Sequence, residues 1–96
     1  MKPSEAIIRH REKILHIVLA NRAIKPRVFG SVLRGEDSEQ SDVDLLVEPL
    51  PGATLLDLGG IQDELEDLLG FHVDVLTPGD LPAKFRQQVL QEAKAL

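Results

Sequence analysis

Apolar positions recur along the chain at two different spacings, which separate predicted helices from predicted strands. From about Ser4 to Arg22 they recur every three to four residues, which predicts an amphipathic helix with Ser4 as its N-cap. The same spacing returns over residues 58–69 and ends at Gly70, a residue type that commonly terminates helices. A last helix is predicted after Asp80, whose side chain is placed to cap it.

Three short segments carry alternating or continuous apolar residues, as strands do. They are residues 27–29, 43–48 and 71–76, and a helical turn is predicted over 31–34. The pair Lys25-Pro26 is predicted to interrupt the helical pattern before the first strand begins. The resulting order, α-β-α-β-α-β-α, predicts an α/β (α+β) fold, with a small mixed sheet of about three to four strands flanked by helices.

Composition narrows the class of protein. The chain has 96 residues, of which 43% are hydrophobic and none is cysteine, so disulfides and thiolate metal sites are excluded. Its first residues are charged and resemble no signal peptide, and no apolar run reaches the length of a membrane span. We therefore expect a cytoplasmic protein without membrane contacts.

Charge is unevenly distributed along the chain. Residues 1–34 contain eight Lys and Arg against two Glu, whereas residues 35–96 contain three against fourteen acidic residues. The net charge of −5 disfavours direct nucleic-acid binding. One interpretation is that the basic first third attracts a nucleoside triphosphate or an acidic partner. The other is that the polar faces of the helices happen to differ in the sign of their charge.

A candidate phosphate-binding turn, Gly30-Ser31, follows the first predicted strand. A missing side chain at Gly30 lets a ligand approach the backbone, and free N–H groups at a helix start attract anions. The Ser31 hydroxyl and the Arg34 guanidinium would add donors for a phosphate chain. Taken alone, the same pattern is also typical of an ordinary turn.

Two carboxylates, Asp42 and Asp44, stand at the head of the apolar run 45–47. Alternate residues of a strand face the same side, so both carboxylates are predicted to face one side of the sheet. Like charges this close repel unless a cation lies between them, and a divalent metal is the usual cation. The alternative is that both are solvated residues just before a strand.

A third carboxylate, Asp74, lies between Val73 and Val75, where an unpaired charge is costly. If its strand lies beside the strand of Asp42 and Asp44, three carboxylates converge. Three oxygen ligands suit Mg²⁺, and water and substrate phosphates would fill its remaining positions. The sequence therefore favours a metal site that handles phosphate chemistry.

Other ionisable residues are predicted to belong to the surface or the packing. Glu36 and Asp37 lie in a polar loop, where solvation is expected, and the acidic run within 63–67 is predicted to be the solvated face of its helix. The histidines lack metal-ligand spacing and are predicted to serve the surface or packing: His10, His16 and His72.

Residues 29–36, 41–47 and 73–76 together carry a family resemblance. A Gly-Ser turn, an Asp-x-Asp pair after a ten-residue gap and a later strand Asp resemble the signature of the DNA polymerase β-like nucleotidyltransferase superfamily. Within it, the chain resembles the minimal nucleotidyltransferase (MNT) antitoxins found beside HEPN-domain toxins. The resemblance runs nearly end to end, so residues 1–96 are expected to form one minimal nucleotidyltransferase domain.

The resemblance implies a role for each matching residue. Gly30-Ser31 would bind the triphosphate of a nucleotide, and Arg34 would be a further nucleotide contact. Asp42 and Asp44 would act in catalysis as ligands of Mg²⁺, with two ions expected. Asp74 would complete one metal site and help to deprotonate the attacking hydroxyl.

The resemblance also implies the reaction and the partner. AMP would pass from ATP to a tyrosine hydroxyl of a HEPN ribonuclease toxin encoded nearby, and pyrophosphate would leave, so that the protein acts as an antitoxin. Two alternatives stay open: an antitoxin that binds nucleotide but neutralises the toxin by binding alone, and transfer to a small molecule. Association with other copies or with the partner is also expected, because small α/β domains often cover a sheet edge in this way.

Overall fold

The computed structural model describes residues 1–96. The elements in chain order are α1 Pro3–Arg9, α2 Arg11–Ala20, β1 Ala23–Phe29, α3 Ser31–Arg34, β2 Val43–Pro49, α4 Leu55–Leu69, β3 Val73–Leu76, a 3₁₀ turn Pro78–Asp80, α5 Ala83–Glu92 and β4 Lys94–Ala95. None of the helices combines the length and the apolar character needed to cross a membrane.

The four strands form one mixed sheet in the order β3-β2-β1-β4. Strand β1 is antiparallel to both β2 and β4, whereas β2 and β3 are parallel. A parallel pair needs a crossover connection, and α4 supplies it. The predicted α+β fold with a small mixed sheet and flanking helices is confirmed.

One face of β2 holds the hydrophobic core. Val43, Leu45 and Val47 point to that face and are at most 2% exposed. They pack in one cluster with Ile61 and Leu65 of α4, and burying each such side chain contributes about 1.5–3 kcal/mol. The alternating pattern therefore places Asp44 and Glu48 on the opposite face of β2, with the buried Leu46 between them.

The first predicted helix is wrong in its extent, because the structure divides it into α1 and α2 at His10. His10 has φ −107° and ψ 20°, which interrupts the helical backbone. Ser4 is also not the N-cap, since α1 begins at Pro3 with Lys2 in the capping position. Proline suits a first helical position because its missing N–H would be unpaired there anyway.

Asp37 corrects the expectation that its loop is solvated. Its residue is 7% exposed, and a carboxylate oxygen accepts a hydrogen bond of 3.0 Å from the backbone N–H of Ser4. This bond and the charge of Lys2 outweigh burial and lower the pKa of Asp37. Asp37 thus anchors the loop that follows α3 to the free N–H groups at the start of α1.

Strand β1 begins earlier than predicted, at Ala23, and runs through Lys25-Pro26. The pairing with β2 is irregular between Ile24 and Arg27, and Lys25 has φ +55°. A bulge tolerates proline because the ladder is already interrupted there. The Pro26 carbonyl accepts a 3.1 Å hydrogen bond from the Leu96 N–H, next to the two-residue strand β4 that the analysis of the sequence did not identify.

The second half of the chain follows the predicted order with shifted boundaries. Helix α4 starts at Leu55, earlier than predicted, because Thr54 and Asp57 form a capping box. It ends at Gly70 with φ +78°, which confirms the predicted stop. Asp80 does not cap α5; its carboxylate instead accepts the Thr77 N–H at 3.0 Å within the 3₁₀ turn.

Two glycines inside α4 have different surroundings. A Cβ on Gly60 would lie 2.7 Å from Oδ1 of Asn21, whose amide donates to the Ile17 carbonyl and to Glu64. A Cβ on Gly59 would have no atom within 4 Å. Close packing thus explains Gly60 but not Gly59, and the neighbour is a side chain that links α2 to α4.

We predict opposite effects of alanine at these two positions. Gly59→Ala is expected to stabilise the protein by about 0.5–1 kcal/mol, because alanine is the better helix former and meets no neighbour. Gly60→Ala is expected to destabilise it, because the methyl displaces Asn21 from two hydrogen bonds worth about 0.5–1.5 kcal/mol each. Urea unfolding measures both, and equal effects would contradict the packing role of Gly60.

A second prediction concerns the acid stability conferred by Asp37. Its pKa is lower in the folded protein than its ordinary value of about 3.9, so its contribution is full above that pH and disappears as pH falls through the folded pKa. Asp37→Asn is therefore expected to destabilise the protein at pH 7 and to match the wild type under strong acid. A destabilisation that does not change with pH would contradict this account.

Candidate active site

The register of the sheet places the acidic residues of two strands side by side. Asp44 pairs with Asp74 across the parallel β2–β3 ladder and with Phe29 across the antiparallel ladder to β1. Paired residues of neighbouring strands share a face, so Asp44 and Asp74 point to the same side. Asp42 lies two residues before Asp44 and adjoins this same side of the sheet.

The Gly30 turn lies directly against Asp44. Gly30 has φ +75° and ψ −148°, a conformation essentially limited to glycine, and a Cβ there would collide with Oδ2 of Asp44. Ser31 starts α3, so the backbone N–H groups of its first turn have no carbonyl within the helix to bind. The turn and the carboxylate thus border one space, and the role of Gly30-Ser31 in binding phosphate stays a prediction.

Of the three carboxylates, Asp44 is the one whose negative charge is destabilised by its surroundings. Burial, followed by the negative charges of Asp74 and Asp42, raises the pKa of Asp44. The positive charges of Arg34 and His72 oppose that rise without cancelling it. A half-buried carboxylate beside two others favours the binding of a cation, which would remove this repulsion.

The structure brings His72 to the acids, which the sequence analysis did not foresee. One ligand atom each of Asp42, His72 and Asp74 lies within 4.8 Å of the other two. His72 Nε2 is 2.9 Å from Oδ1 of Asp74, and this hydrogen bond raises the pKa of His72. Side-chain alternation could have revealed it, because His72 precedes Asp74 of β3 by two residues, just as Asp42 precedes Asp44 of β2.

Glu66 is also more than a solvated helix residue. One of its oxygens, Oε2, accepts the Val73 N–H at 2.9 Å and lies 2.7 Å from Nδ1 of His72. The hydrogen bond from Val73 lowers the pKa of Glu66. Asp63, Glu64 and Asp67 are exposed, as expected of the solvated face, so that expectation fails for Glu66 alone.

Arg34 lies close enough to influence Asp44 but contacts another acid. Its Nε donates to Oε2 of Glu36 at 3.0 Å, and its side chain is 57% exposed. Surface pairs of this kind contribute little, about 0–1 kcal/mol, so they exchange partners readily. The place of Arg34 as a nucleotide contact stays a prediction.

The acids lie on an open edge of the sheet and not in the apolar cavity of the protein. That cavity, of about 300 Å³, lies between α1, α3 and β4 and is lined by Ile7, Ile8, Val28, Val32, Leu33 and Leu96, among others. It contains none of the three acids. We assign the chemistry to the open edge, because none of the side chains that line the apolar cavity is a carboxylate or an imidazole.

The donor set of the open edge fits a hard divalent cation. Oxygen ligands from Asp42 and Asp74 are exposed to solvent at one point, and Asp44 carries an unrelieved negative charge beside them. Mg²⁺ prefers oxygen ligands and keeps room for water and phosphates. An anion-binding turn next to a cation-binding cluster is suited to transfer reactions of nucleoside phosphates.

A pair of glycines tests the contact between the turn and Asp44. Gly35→Ala is expected to cost about 1–2 kcal/mol for its left-handed backbone alone, because no atom lies within 4 Å of the added methyl. Gly30→Ala is expected to cost more, because its backbone conformation is more restricted to glycine and the methyl must also displace the Asp44 carboxylate. The free energy of unfolding in urea measures both, and equal costs would contradict the contact.

Comparison with known proteins agrees with this chemistry. Residues 8–96 match the family described as nucleotidyltransferase domain. The Methanocaldococcus jannaschii protein MJ0435, which bears a protein adenylyltransferase name, is 41% identical over 83 residues, covering 86% of this chain and 89% of its own. The protein adenylyltransferase MntA of Thermococcus cleftensis is 42% identical over 65 residues, covering 68% of this chain and 66% of its own.

Solved structures share the fold. A protein assigned as a minimal nucleotidyltransferase superposes with a TM-score of 0.87 at 44% identity, covering 97% of this chain and 95% of its own. A toxin–antitoxin structure with AMP-PNP has a TM-score of 0.69 at 20% identity, over 97% and 71% of the two chains. The MntA-HpeT toxin–antitoxin has a TM-score of 0.71 at 23% identity, over 90% and 70%. The chain belongs to the nucleotidyltransferase domain family and is a minimal nucleotidyltransferase.

Proposed function

We propose that the protein is a Mg²⁺-dependent protein adenylyltransferase that acts as an antitoxin. It would transfer AMP from ATP to a tyrosine hydroxyl of a HEPN ribonuclease toxin and release pyrophosphate. The added group would block the toxin through its bulk and its negative charge, as other charge-adding modifications do. The observation that carries this proposal is the Gly30 turn in contact with Asp44, which stands beside Asp42 and Asp74.

Each step of the proposed reaction has a group in this chain. The backbone N–H groups around Gly30-Ser31 would bind the phosphate oxygens, and the Ser31 hydroxyl would add a donor. Asp42, Asp44 and Asp74 would hold Mg²⁺, with two ions expected. When bound, Mg²⁺ supplies positive charge that stabilises the negative phosphates of the transition state.

The transfer itself is a substitution at the α-phosphorus. A bond forms between the acceptor oxygen and that phosphorus, and the bond to the oxygen bridging the α- and β-phosphates breaks. Pyrophosphate leaves with the bonding electron pair, and the acceptor proton passes to Asp74, whose half-exposed carboxylate would face the acceptor. No residue of the chain is modified, so turnover needs only fresh ATP and acceptor.

The names and structures of the relatives support the partner class. Two relatives are named as protein adenylyltransferases, and the solved MntA-HpeT complex is a toxin with its antitoxin. The structure with AMP-PNP places an ATP analogue in a toxin–antitoxin assembly of the same fold.

The proposal is tested by following labelled ATP. The protein is incubated with the HEPN toxin, Mg²⁺ and ATP labelled at either the α- or the γ-phosphate. Label is expected to reach the toxin from the α-position only. Asp42→Asn and Asp44→Asn are each expected to lower the rate about 100-fold or more, because lost metal contacts are worth several kcal/mol.

A matched control separates the site from general loss of charge. Asp63→Asn removes a carboxylate from the exposed side of α4 and is expected to transfer AMP at the wild-type rate. Transfer of the γ-label, or full activity of the Asp44 variant, would contradict the proposal. Neutralisation of the toxin by the Asp42/Asp44 double variant without any label would instead identify an antitoxin that acts by binding alone.

A further inference from the structure

We propose that the outward face of α4 pairs with the same face of a second copy of this chain, so that Leu56 of each copy packs on Gly59 of the other. A twofold axis would relate the two copies, as in most dimers of identical chains. The pairing goes beyond the proposed function and does not depend on it, because α4 begins at the end of β2 that is remote from Asp44.

The first observation is a pair of leucines that the fold leaves exposed to water. Leu55 is 85% exposed and Leu56 is 87% exposed, and both lie in the first turn of α4. The side of the same helix that faces the core is supplied by Ile61 and Leu65. Solvent-facing positions of such a helix are normally polar, so two adjacent exposed leucines indicate contact with another protein surface.

The second observation is a glycine one turn further along the helix. Gly59 lies three residues after Leu56 and four after Leu55, so the three residues are neighbours on the helix surface. No atom lies within 4 Å of a Cβ added at Gly59, although glycine is a poorer helix former than alanine. Nothing within the isolated chain therefore requires glycine here, whereas a leucine of a second helix packed on this turn would.

These residues complement themselves in an antiparallel pair of helices. A twofold axis midway between Leu56 and Gly59 places each leucine over the glycine of the other copy. Leu56 and Gly59 are only about 4.5 Å apart along the helix axis, so both contacts form in one compact patch. The missing side chain at Gly59 lets the two helices approach closely, and Leu55 lies at the edge of the same patch.

Charge complementarity supports the same register. Asp63 lies seven residues after Leu56, so the pairing brings it opposite Gly52 of the other copy, which lies seven residues before Gly59. Arg22 Nη1 donates to the Gly52 carbonyl oxygen at 3.4 Å, so its guanidinium lies at that end of the helix. Neither Arg22 nor Asp63 has an ion-pair partner within its own chain. The two copies would thus form two Arg22–Asp63 pairs across the axis.

The pairing leaves the acidic edge of the sheet accessible in both copies. Asp44 lies near the first residue of β2, about 16 Å along the strand from Pro49, and α4 follows Pro49. Two leucines and a glycine from each copy cover much less than the roughly 800 Å² that each partner buries in a stable complex. We therefore expect a reversible dimer with a dissociation constant of about 10 µM to 1 mM.

Sedimentation equilibrium of the tag-free chain, from about 5 µM to about 1 mM at about 0.15 M salt, measures the association. Leu56→Glu is expected to weaken it more than about tenfold, because a charge would replace the apolar side chain that packs on Gly59 of the other copy. Ile8→Glu is the matched control and is expected to leave association unchanged, because Ile8 is also highly exposed but lies on α1, outside the contact.

Gly59→Ala separates association from folding. The added methyl is expected to weaken association about tenfold, because it displaces Leu56 of the other copy. In dilute solution, where the wild type is monomeric, the same change is expected to raise the midpoint of thermal unfolding, because alanine is the better helix former and meets no atom of its own chain. Loss of association in a more stable variant cannot arise from misfolding.

An exchange of charges tests the register. Arg22→Asp and Asp63→Arg are each expected to weaken self-association about tenfold, because each creates two like-charge pairs across the axis. Arg22 has φ +60°, a backbone conformation that aspartate tolerates. An equimolar mixture of the two variants is expected to associate as the wild type does, because a mixed dimer restores both opposite-charge pairs.

The outcomes separate this pairing from its alternatives. A wild type that stays monomeric at about 1 mM, a dimer unchanged by Leu56→Glu and Gly59→Ala, or a charge-exchanged mixture that associates no better than its components would overturn the pairing. A monomeric wild type whose binding to the toxin is lost in Leu56→Glu would also overturn it and identify the toxin as the occupant of this face. A wild type that dimerises as described but transfers no AMP would contradict the proposed function and leave the pairing intact.

Discussion

The candidate site depends on the parallel pairing of β2 with β3, which places Asp44 beside Asp74. Adjacent strands are about 4.8 Å apart, and two unit charges at that distance repel by at most roughly 3.5 kcal/mol at an effective dielectric constant of about 20. This repulsion is offset because the same register buries Leu45 and Val47 against α4. A shift of β2 by one residue would turn both apolar side chains out of the core and Asp44 into it.

The repulsion is then left largely uncompensated by the protein. Arg34 pairs with Glu36, and His72 contacts the cluster through a 2.9 Å hydrogen bond with Asp74. Gly30 lets the backbone approach the Asp44 carboxylate where any side chain would push it away. The edge therefore combines a negative cluster with an anion-binding turn, and a metal–phosphate complex carries the opposite charges of both.

The pattern of residues within a single segment was sufficient to predict those parts of the site that lie in that segment. The period of two along β2 placed Asp42 and Asp44 on one side, and the glycine after β1 predicted the turn. The place of Asp74 needed the assumption that its strand lies beside β2, which the structure confirms. Predicting the place of His72 required the same assumption, because His72 lies two residues before Asp74. Predicting the place of Glu66 required the position of α4 over β3, which the local spacing of residues does not reveal.

The fold was predictable to a similar degree. Helix α4 and its end at Gly70 follow from spacing and from glycine at a left-handed position. The burial of Asp37 depends on a contact with Ser4, 33 residues away along the chain, which local spacing does not contain. Strand β1 passes through Lys25-Pro26 because a bulge accommodates the proline, and propensity alone favours a break at that pair.

The central claim is that a nucleotide binds where the Gly30 turn meets Asp44 and its neighbouring carboxylates. A crystal structure with Mg²⁺ and a non-hydrolysable ATP analogue tests it most directly. The account predicts phosphates against the backbone of Gly30-Ser31, with metal density bridging them to Asp42, Asp44 and Asp74. Nucleotide bound in the apolar cavity beside β4, with no metal at the acids, would contradict it.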